Sequence, residues 1–402
     1  MAGASVEARE RFLSNLRLVN ERAQVEPEII DLVEAFARLD LEKDRPVTLH
    51  PGAPRRLSPP VEAFLEKNRH LSPTSRDFLA AYCQRIHEQG QVFLLNPTHL
   101  AHLLDLSPDR LGRLARTTDR RYFSYTIPKR DGSDRTIHAP NPELKNVQRL
   151  ILDNILSFAP LSAPAEGFRR ERSIVTNGRR HVGKKVVVKL DIKDFFPSIT
   201  VERIFGLYLA MGYPRSVASL LTDLTTYQGA LPTGAPTSPV LSNLVCRRLD
   251  RRLSGVGVKM DFEYSRYADD LTFSSQNPGM VRLLPFLQEV IAEEGFVVKK
   301  PKTRIQRSGG QQKVTGIVVN RRPNIARKEI RILRAIIHNC KKGDIRQQAS
   351  QYAASRGLGN SQDFPLSSFK ASLRGKIDHV RRVNPEVGGR LLHDFKTIPF
   401  NA

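Results

Sequence analysis

Tryptophan is absent and cysteine is scarce, with Cys83, Cys246 and Cys340 widely separated in a chain of 402 residues. The absence of tryptophan decides nothing. The cysteine spacing excludes a cysteine-built metal site and fits a reducing cytoplasm, where each thiol packs as a small apolar side chain. Long apolar runs are also missing. No stretch of about 18 consecutive apolar residues occurs, so no transmembrane helix is expected, and the N-terminal segment has no apolar signal core. There is no internal repeat. Acidic residues are in deficit, with 41 Asp and Glu against 64 Lys and Arg, a formal net charge of +23. Such an excess calls for a polyanionic partner, most simply nucleic acid. A membrane surface is the weaker reading, because the cations are spread along the chain and not gathered beside an apolar anchor. At 40% hydrophobic residues, the chain is long enough for two or three modules.

What is present reads as an α+β pattern. Residues 5–40 carry apolar positions at helical spacing, and the proline-rich stretch at 44–60 breaks them as a linker. Short helices follow over 61–118, one of them opening at Ser107 as cap with Pro108 in the first turn. "YFSYTIPKRDGSDRTIHAP" predicts a hairpin with its turn at "KRDGSD". A helix is expected over 142–158. The β-branched run "KKVVVKLDI", residues 184–192, predicts the best buried strand. Helices are expected over 201–227 and 238–253, two strands about "YADD", a helix over 279–294, a single strand "KVTGIVVN", and a basic helical region from 325 onward.

Two adjacent aspartates, Asp269 and Asp270, occupy the tip of the expected hairpin, and Asp191 ends the best strand. A solvated turn is the bland reading of an Asp-Asp pair. If the hairpin pairs beside the 184–192 strand, the carboxylates converge, and a divalent cation with a preference for hard oxygen ligands makes that tolerable. Metal-dependent phosphoryl transfer is the chemistry such a site supports.

Five ordered segments together resemble reverse transcriptases: "IPKRDGSDRTI", "LDIKDFFPSI", "LPTGAPTSPVLSNL", "YADD" and "GFVVKKPKT". The resemblance spans roughly residues 90–320 and implies a right-hand polymerase fold, with fingers, a palm built on a split β-α-β-β sheet and a helical thumb. The expected divisions are an N-terminal helical extension and linker at 1–60, the fingers at 61–183, the palm at 184–308, and a primer-grip strand with a basic helical thumb at 309–402. It implies RNA-templated DNA synthesis from deoxynucleoside triphosphates with two Mg²⁺ ions, for which Mn²⁺ is a possible substitute. Asp191, Asp269 and Asp270 would form the catalytic metal site, with Asp191 as first ligand, Asp269 as second and Asp270 beside it. Lys302 stands in the place of a proton donor to pyrophosphate. Lys129 and Arg135 would contact the triphosphate, as would Asp194 through its backbone, and Thr233 and Gly234 would line the nucleotide loop. Of Phe195 and Phe196, the second stands where an aromatic excludes a ribose 2′-hydroxyl, although either is also a good core residue.

"NGRRH" at 177–181 resembles the N-A-x-x-H element of retron reverse transcriptases, with Gly178 where alanine is usual, and "VTG" at 314–316 resembles their other marker. That narrower resemblance implies a cognate structured noncoding RNA of the msr-msd type, priming from a guanosine 2′-hydroxyl, a branched RNA–DNA product (multicopy single-stranded DNA) and, in many systems, an effector protein and defence against phage. Asn177, Arg179, Arg180, His181, Thr315 and Gly316 become candidate RNA contacts, with a hydrogen-bonded structural role as the rival for His181. The basic run "RRERSIVTNGRRHVGKK" is read as a glycine-broken segment lying along RNA phosphates. The rivals to the whole reading are a group II intron-like, abortive-infection or CRISPR-associated reverse transcriptase, and a noncatalytic RNA-binding scaffold.

Overall fold

The computed structural model of the chain describes residues 80–86, 91–92, 94–128, 132, 134–357 and 364–400. The expected N-terminal extension, its linker and Lys129 lie outside the described residues. In chain order the elements are α1 (Pro97–Leu103), α2 (Pro108–Arg116), β1 (Tyr122–Pro128), β2 (Asp134–Pro140), α3 (Pro142–Asn154), α4 (Ile174–Arg180), β3 (Val186–Asp191), α5 (Val201–Ala210), α6 (Arg215–Thr225), α7 (Ser238–Val245) and α8 (Arg247–Met260). They continue with β4 (Glu263–Tyr267), β5 (Asp270–Ser275), α9 (Leu284–Glu293), β6 (Arg304–Arg307), β7 (Lys313–Val314), β8 (Ile317–Val318), α10 (Arg327–Lys342), α11 (Ile345–Ala354), α12 (Leu366–Val383) and α13 (Pro385–Lys396). The chain divides into two compact units. One comprises the residues up to Ser162 with Asp194–Arg248, and the other Ala163–Lys193 with Leu249–Ala402.

In the first unit, helix starts follow a recurring local rule. Asn96, Ser107 and Asn141 each precede a proline, and each side chain accepts a hydrogen bond from a first-turn N–H (His99, Arg110 and Leu144). The side chain satisfies an orphan donor, and proline fills the position that needs no N–H. Strands β1 and β2 pair antiparallel from Tyr122↔Pro140 to Pro128↔Asp134. Gln148 on α3 is fully buried and donates to the Tyr122 hydroxyl (2.7 Å) and to the Leu224 carbonyl (2.9 Å). One amide thus ties β1, α3 and α6 together.

The second unit is built on a four-stranded sheet in the order β4-β5-β3-β6, all of its pairs antiparallel. Strand β3 is central and Val186, Val187, Val188 and Leu190 are fully buried, as a β-branched run between two partners should be. Val187 shares a core with Val175 of α4, Val314 and Ile317 of β7–β8, and Ile330, Leu333, Phe369 and Leu373 of the C-terminal helices. The expected boundaries at 183 and 308 both fall within this unit.

Three expectations need correction. "KVTGIVVN" is not one strand. Thr315 (φ +46°) and Gly316 (φ +86°) both take the left-handed region, so β7 turns back on β8 through a two-residue hairpin. The basic run at 169–185 is not broken by its glycine, because its centre is α4, opened by a capping box in which Ser173 and Thr176 exchange side-chain and backbone bonds. Gly178 lies inside that helix, and a Cβ there would sit 3.3 Å from the Ile317 side chain. Close approach of α4 to β8 accounts for glycine at that position. The expected helix over 238–253 is two helices, α7 and α8.

Helices α12 and α13 cross where Gly388 leaves no room: a Cβ would lie 2.2 Å from the Arg381 Cα, whereas at Gly389 it would meet nothing. Gly388→Ala is therefore expected to cost about 3 kcal/mol through overpacking against backbone. Gly389→Ala, in the same helix, should be neutral or stabilising by up to about 1 kcal/mol. Thermal unfolding of the two variants checks this; equal melting temperatures would contradict the crossing.

Candidate active site

Asp191 ends β3 and Asp270 begins β5, and the two are register partners across the antiparallel pair. Asp269 lies in the two-residue turn between β4 and β5, and its carbonyl accepts a hydrogen bond from the Ile192 N–H (3.0 Å). The expected convergence therefore occurs at one end of the sheet. Burial raises the Asp269 carboxyl above its ordinary range, and the nearby Asp191 and Asp270 charges push it the same way, while Lys302 opposes them.

Lysines supply the compensating charge. Lys302 donates to both Asp191 oxygens (3.1 Å each), and Lys189 reaches Asp270 Oδ2 at 3.3 Å. Lys302 is brought there by the 297–299 segment, which runs beside the end of β3 through Lys193 N–H to the Val297 carbonyl and Lys299 N–H to the Asp191 carbonyl (2.8 and 2.7 Å). Lys189 was missed in the sequence, although it stands two residues before Asp191 and therefore on the same face of β3.

Among the described residues, no group of three or more His, Cys, Asp or Glu side chains forms a ready metal cage. Of the three expected carboxylates, Asp191 and Asp270 each carry a lysine contact, from Lys302 and Lys189. Asp191 and Asp269 still fit a hard divalent cation. Their donors are carboxylate oxygens, their charges oppose one another, and Mg²⁺ is commonly held by one or two carboxylates with substrate phosphates completing its shell.

The remaining expected residues divide by unit. In the first unit, Phe195 is buried at 5% exposure, whereas Phe196 is half-buried with its ring 5.5 Å from that of Phe195. The pair therefore splits into one core residue and one accessible residue. Asp194 is exposed with φ +46°, and its carbonyl accepts from the Ser198 N–H. Arg135 is exposed on β2 and Thr233 is half-buried. Gly234 is needed for a close approach, because a Cβ there would lie 2.6 Å from the His138 carbonyl oxygen.

In the second unit, the candidate RNA contacts Asn177 and His181 are fully buried; side chains with no exposed surface cannot touch RNA directly. They form a polar network instead. His181 bonds Ser274 through Nδ1 and Ser265 through Nε2, both at 2.7 Å, and the Ser265 hydroxyl donates to Asn177 Oδ1 at 2.5 Å. Ser265 has one proton and gives it to Asn177, so His181 Nε2 must donate and Nδ1 must accept. The Asn177 amide donates to Thr315 Oγ1 (3.4 Å), which donates to the Ile174 carbonyl (3.2 Å). Burial, with Arg180 and Lys184 nearby, lowers the His181 pKa to about 3, which keeps the ring neutral. Arg180 is engaged by Glu263 and Glu166. Arg179 and Gly316 remain exposed. The two marker segments thus meet each other in the core, a partnership invisible to local sequence reading.

The family model for reverse transcriptase (RNA-dependent DNA polymerase) matches residues 127–337. The chain is 41% identical over 314 residues to the retron Mx162 reverse transcriptase of Myxococcus xanthus, covering 68% of this chain and 65% of that protein. It is 40% identical to the retron Mx65 reverse transcriptase of the same organism, covering 68% of this chain and 64% of that one. It therefore spans just under two thirds of the length of these relatives. With the retron Ec86 reverse transcriptase of Escherichia coli it shares 35% identity, over 78% of this chain and 97% of that one. A solved structure of telomerase from Candida albicans with a fragment of telomeric RNA aligns with a TM-score of 0.39 and 10% identity, over 72% of this chain and 66% of that one. No helix among the described residues is long and apolar enough to cross a membrane.

The crowding of carboxylates has a consequence for stability. A carboxyl raised in the folded state holds a proton that the unfolded chain, with its value near about 3.9, has released. Its stabilising contribution is present below the unfolded value and is lost as pH rises through the folded one. Near neutral pH, Asp269→Asn should therefore melt above the parent in the presence of a chelator, with the gap closing towards about pH 4. A gap independent of pH would contradict the crowding.

Proposed function

The chain belongs to the reverse transcriptase family, in its retron group, and from that premise we propose that it is an RNA-directed DNA polymerase. Its substrates on this reading are deoxynucleoside triphosphates and an RNA template. The single observation that carries the proposal is the meeting of Asp191, Asp269 and Asp270 at one end of the sheet.

Asp191 and Asp269 would hold Mg²⁺, with Mn²⁺ as a substitute. When bound, a pair of such ions activates the attacking hydroxyl and neutralises charge on the leaving pyrophosphate. Asp270, beside them and in contact with Lys189, would complete the acidic site at the start of β5. Lys302 has a half-exposed side chain, so its ammonium can exchange Asp191 for a phosphate and deliver a proton to the departing group. Phe196, the accessible ring of its pair, excludes the 2′-hydroxyl, and Arg135 and Lys129 bind the triphosphate. Gly234 lets the 231–236 loop lie against β2 and so sets the shape of the nucleotide floor with Thr233 and the backbone of Asp194.

The finer reading is a retron enzyme. It reverse-transcribes its own structured RNA of the msr-msd type, primes from a guanosine 2′-hydroxyl, leaves a branched RNA–DNA product and acts with an effector in defence against phage. The support is the identity to retron enzymes and the pairing of the two marker segments through Asn177 and Thr315. Recognition then falls to exposed groups, Arg179 and Gly316 among them. A-form RNA is read by shape and backbone, for which dispersed cations suffice.

Asp269→Asn keeps the turn's size and removes one charged ligand. It should abolish primer extension on an RNA template while RNA binding stays close to that of the parent; extension near the parent's rate would sink the assignment. For the finer reading, the RNA encoded beside the gene should outcompete an unrelated hairpin of equal length at about 200 mM salt, where phosphate-driven binding is heavily weakened. Its product should carry a branch that a debranching enzyme removes. Equal competition and an unbranched product would leave a polymerase of another reverse transcriptase class.

A further inference from the structure

Arg266 lies one residue before Tyr267 and has no part in the chemistry above. Its side chain is fully buried, and so is Asp250 on α8. A buried guanidinium is tolerable only when well paired, and this pair is bidentate. Nε donates to Asp250 Oδ1 and Nη2 to Oδ2, both at 2.8 Å, and the Tyr264 hydroxyl donates to the same Oδ1 at 2.9 Å. The third nitrogen, Nη1, points along the strand and donates to the Ala268 carbonyl at 3.4 Å.

Ala268 is where the turn is least comfortable. Its φ is +56°, at the first of the two turn residues, a position where glycine is the usual occupant. Its carbonyl carbon is bonded to the nitrogen of Asp269, so the conformation of Ala268 sets where the Asp269 carboxylate points. The other flank of the turn is closed by backbone. The Arg266 N–H donates to the Pro164 carbonyl and the Glu166 N–H to the Arg266 carbonyl, both at 2.8 Å. A Cβ on Gly167 would lie 2.8 Å from the Ala268 nitrogen. The turn is therefore pressed from one side by the 164–167 segment and held from beneath by Arg266.

We propose that Arg266, fixed by Asp250, is a positioning residue that holds Ala268 in its left-handed conformation and thereby aims Asp269. This rests on the reading of Asp269 as a metal-binding carboxylate. The orientation is bonded in place before substrate arrives, as preorganised sites require.

The test uses the full chain. Arg266→Lys keeps a cation against Asp250, but a single ammonium cannot grip both Asp250 oxygens and the Ala268 carbonyl. Its kcat for primer extension should fall about tenfold, equivalent to ~1.4 kcal/mol, with KM for the deoxynucleotide unchanged. The Mg²⁺ concentration that gives half of the metal-induced rise in melting temperature should increase by a similar factor. Adding Ala268→Gly, which removes the Cβ cost of a positive φ, should restore both. If Arg266→Lys melts far below the parent, the neutral pair Arg266→Gln with Asp250→Asn should show the same split and the same rescue. An unchanged kcat, or a loss that Ala268→Gly does not recover, would reduce Arg266 to core support and overturn the proposal. A parent chain that fails to extend a primer would instead remove the metal-site reading on which the proposal stands, so the two failures are distinguishable.

Discussion

Repulsion among three carboxylates is the constraint around which the second unit is arranged. Asp191 and Asp270 face each other across paired strands, and Asp269, next in the chain, is buried enough for its carboxyl to be raised. Without compensation such a cluster would splay the end of the sheet. Lys302 and Lys189 supply positive charge from the side. The β-branched core of β3, paired on both edges, supplies stiffness from below. These devices hold the acids together without neutralising them fully, which is the state a cation-dependent site needs before its cation and substrate arrive.

A second layer of polar groups lies farther along the same sheet. Ser265 and Ser274 stand on β4 and β5, the hairpin that carries Asp269 at its tip, and both bond His181. Asn177 extends the chain of bonds to the β7–β8 turn. Every member is bonded to another, so the network is one in which loss of a single hydroxyl leaves a buried partner unpaired, at a typical cost of about 1–3 kcal/mol. The network joins the β4–β5 hairpin, α4 and the β7–β8 hairpin into one body. On the proposed reading, the two segments that mark a retron enzyme act by building this body, and RNA is met by exposed residues around it.

Local rules made much of this legible beforehand. Ser107 before Pro108, the "VVV" run of β3 and the "YADD" hairpin depend on neighbours within a few residues, and each appears where its pattern places it. Of the apolar face Ile330, Leu333, Ile336 and Ile337 that the spacing puts on one side of α10, three are buried and Ile336 is half-buried. What escaped was non-local or strained. Asn177 bonds Thr315 across 138 positions, and no periodicity encodes that pairing. The two-residue turn at Thr315–Gly316 was hidden because a β-branched residue rarely takes a positive φ; here the Thr315 hydroxyl bonds the Ile174 carbonyl and helps to hold it. Arg266 looked like one cation among many, since its burial and its partner Asp250 appear only after folding.

The central claim is that Asp191 and Asp269 together hold a divalent cation. Anomalous scattering from crystals grown with Mn²⁺, a primed RNA template and an incoming deoxynucleotide tests it most directly. The account predicts a Mn²⁺ peak at the Asp191 and Asp269 carboxylates, with the Lys302 ammonium moved from Asp191 onto phosphate. Mn²⁺ bound elsewhere, with Lys302 still closing on Asp191 in a complex competent for extension, would contradict it.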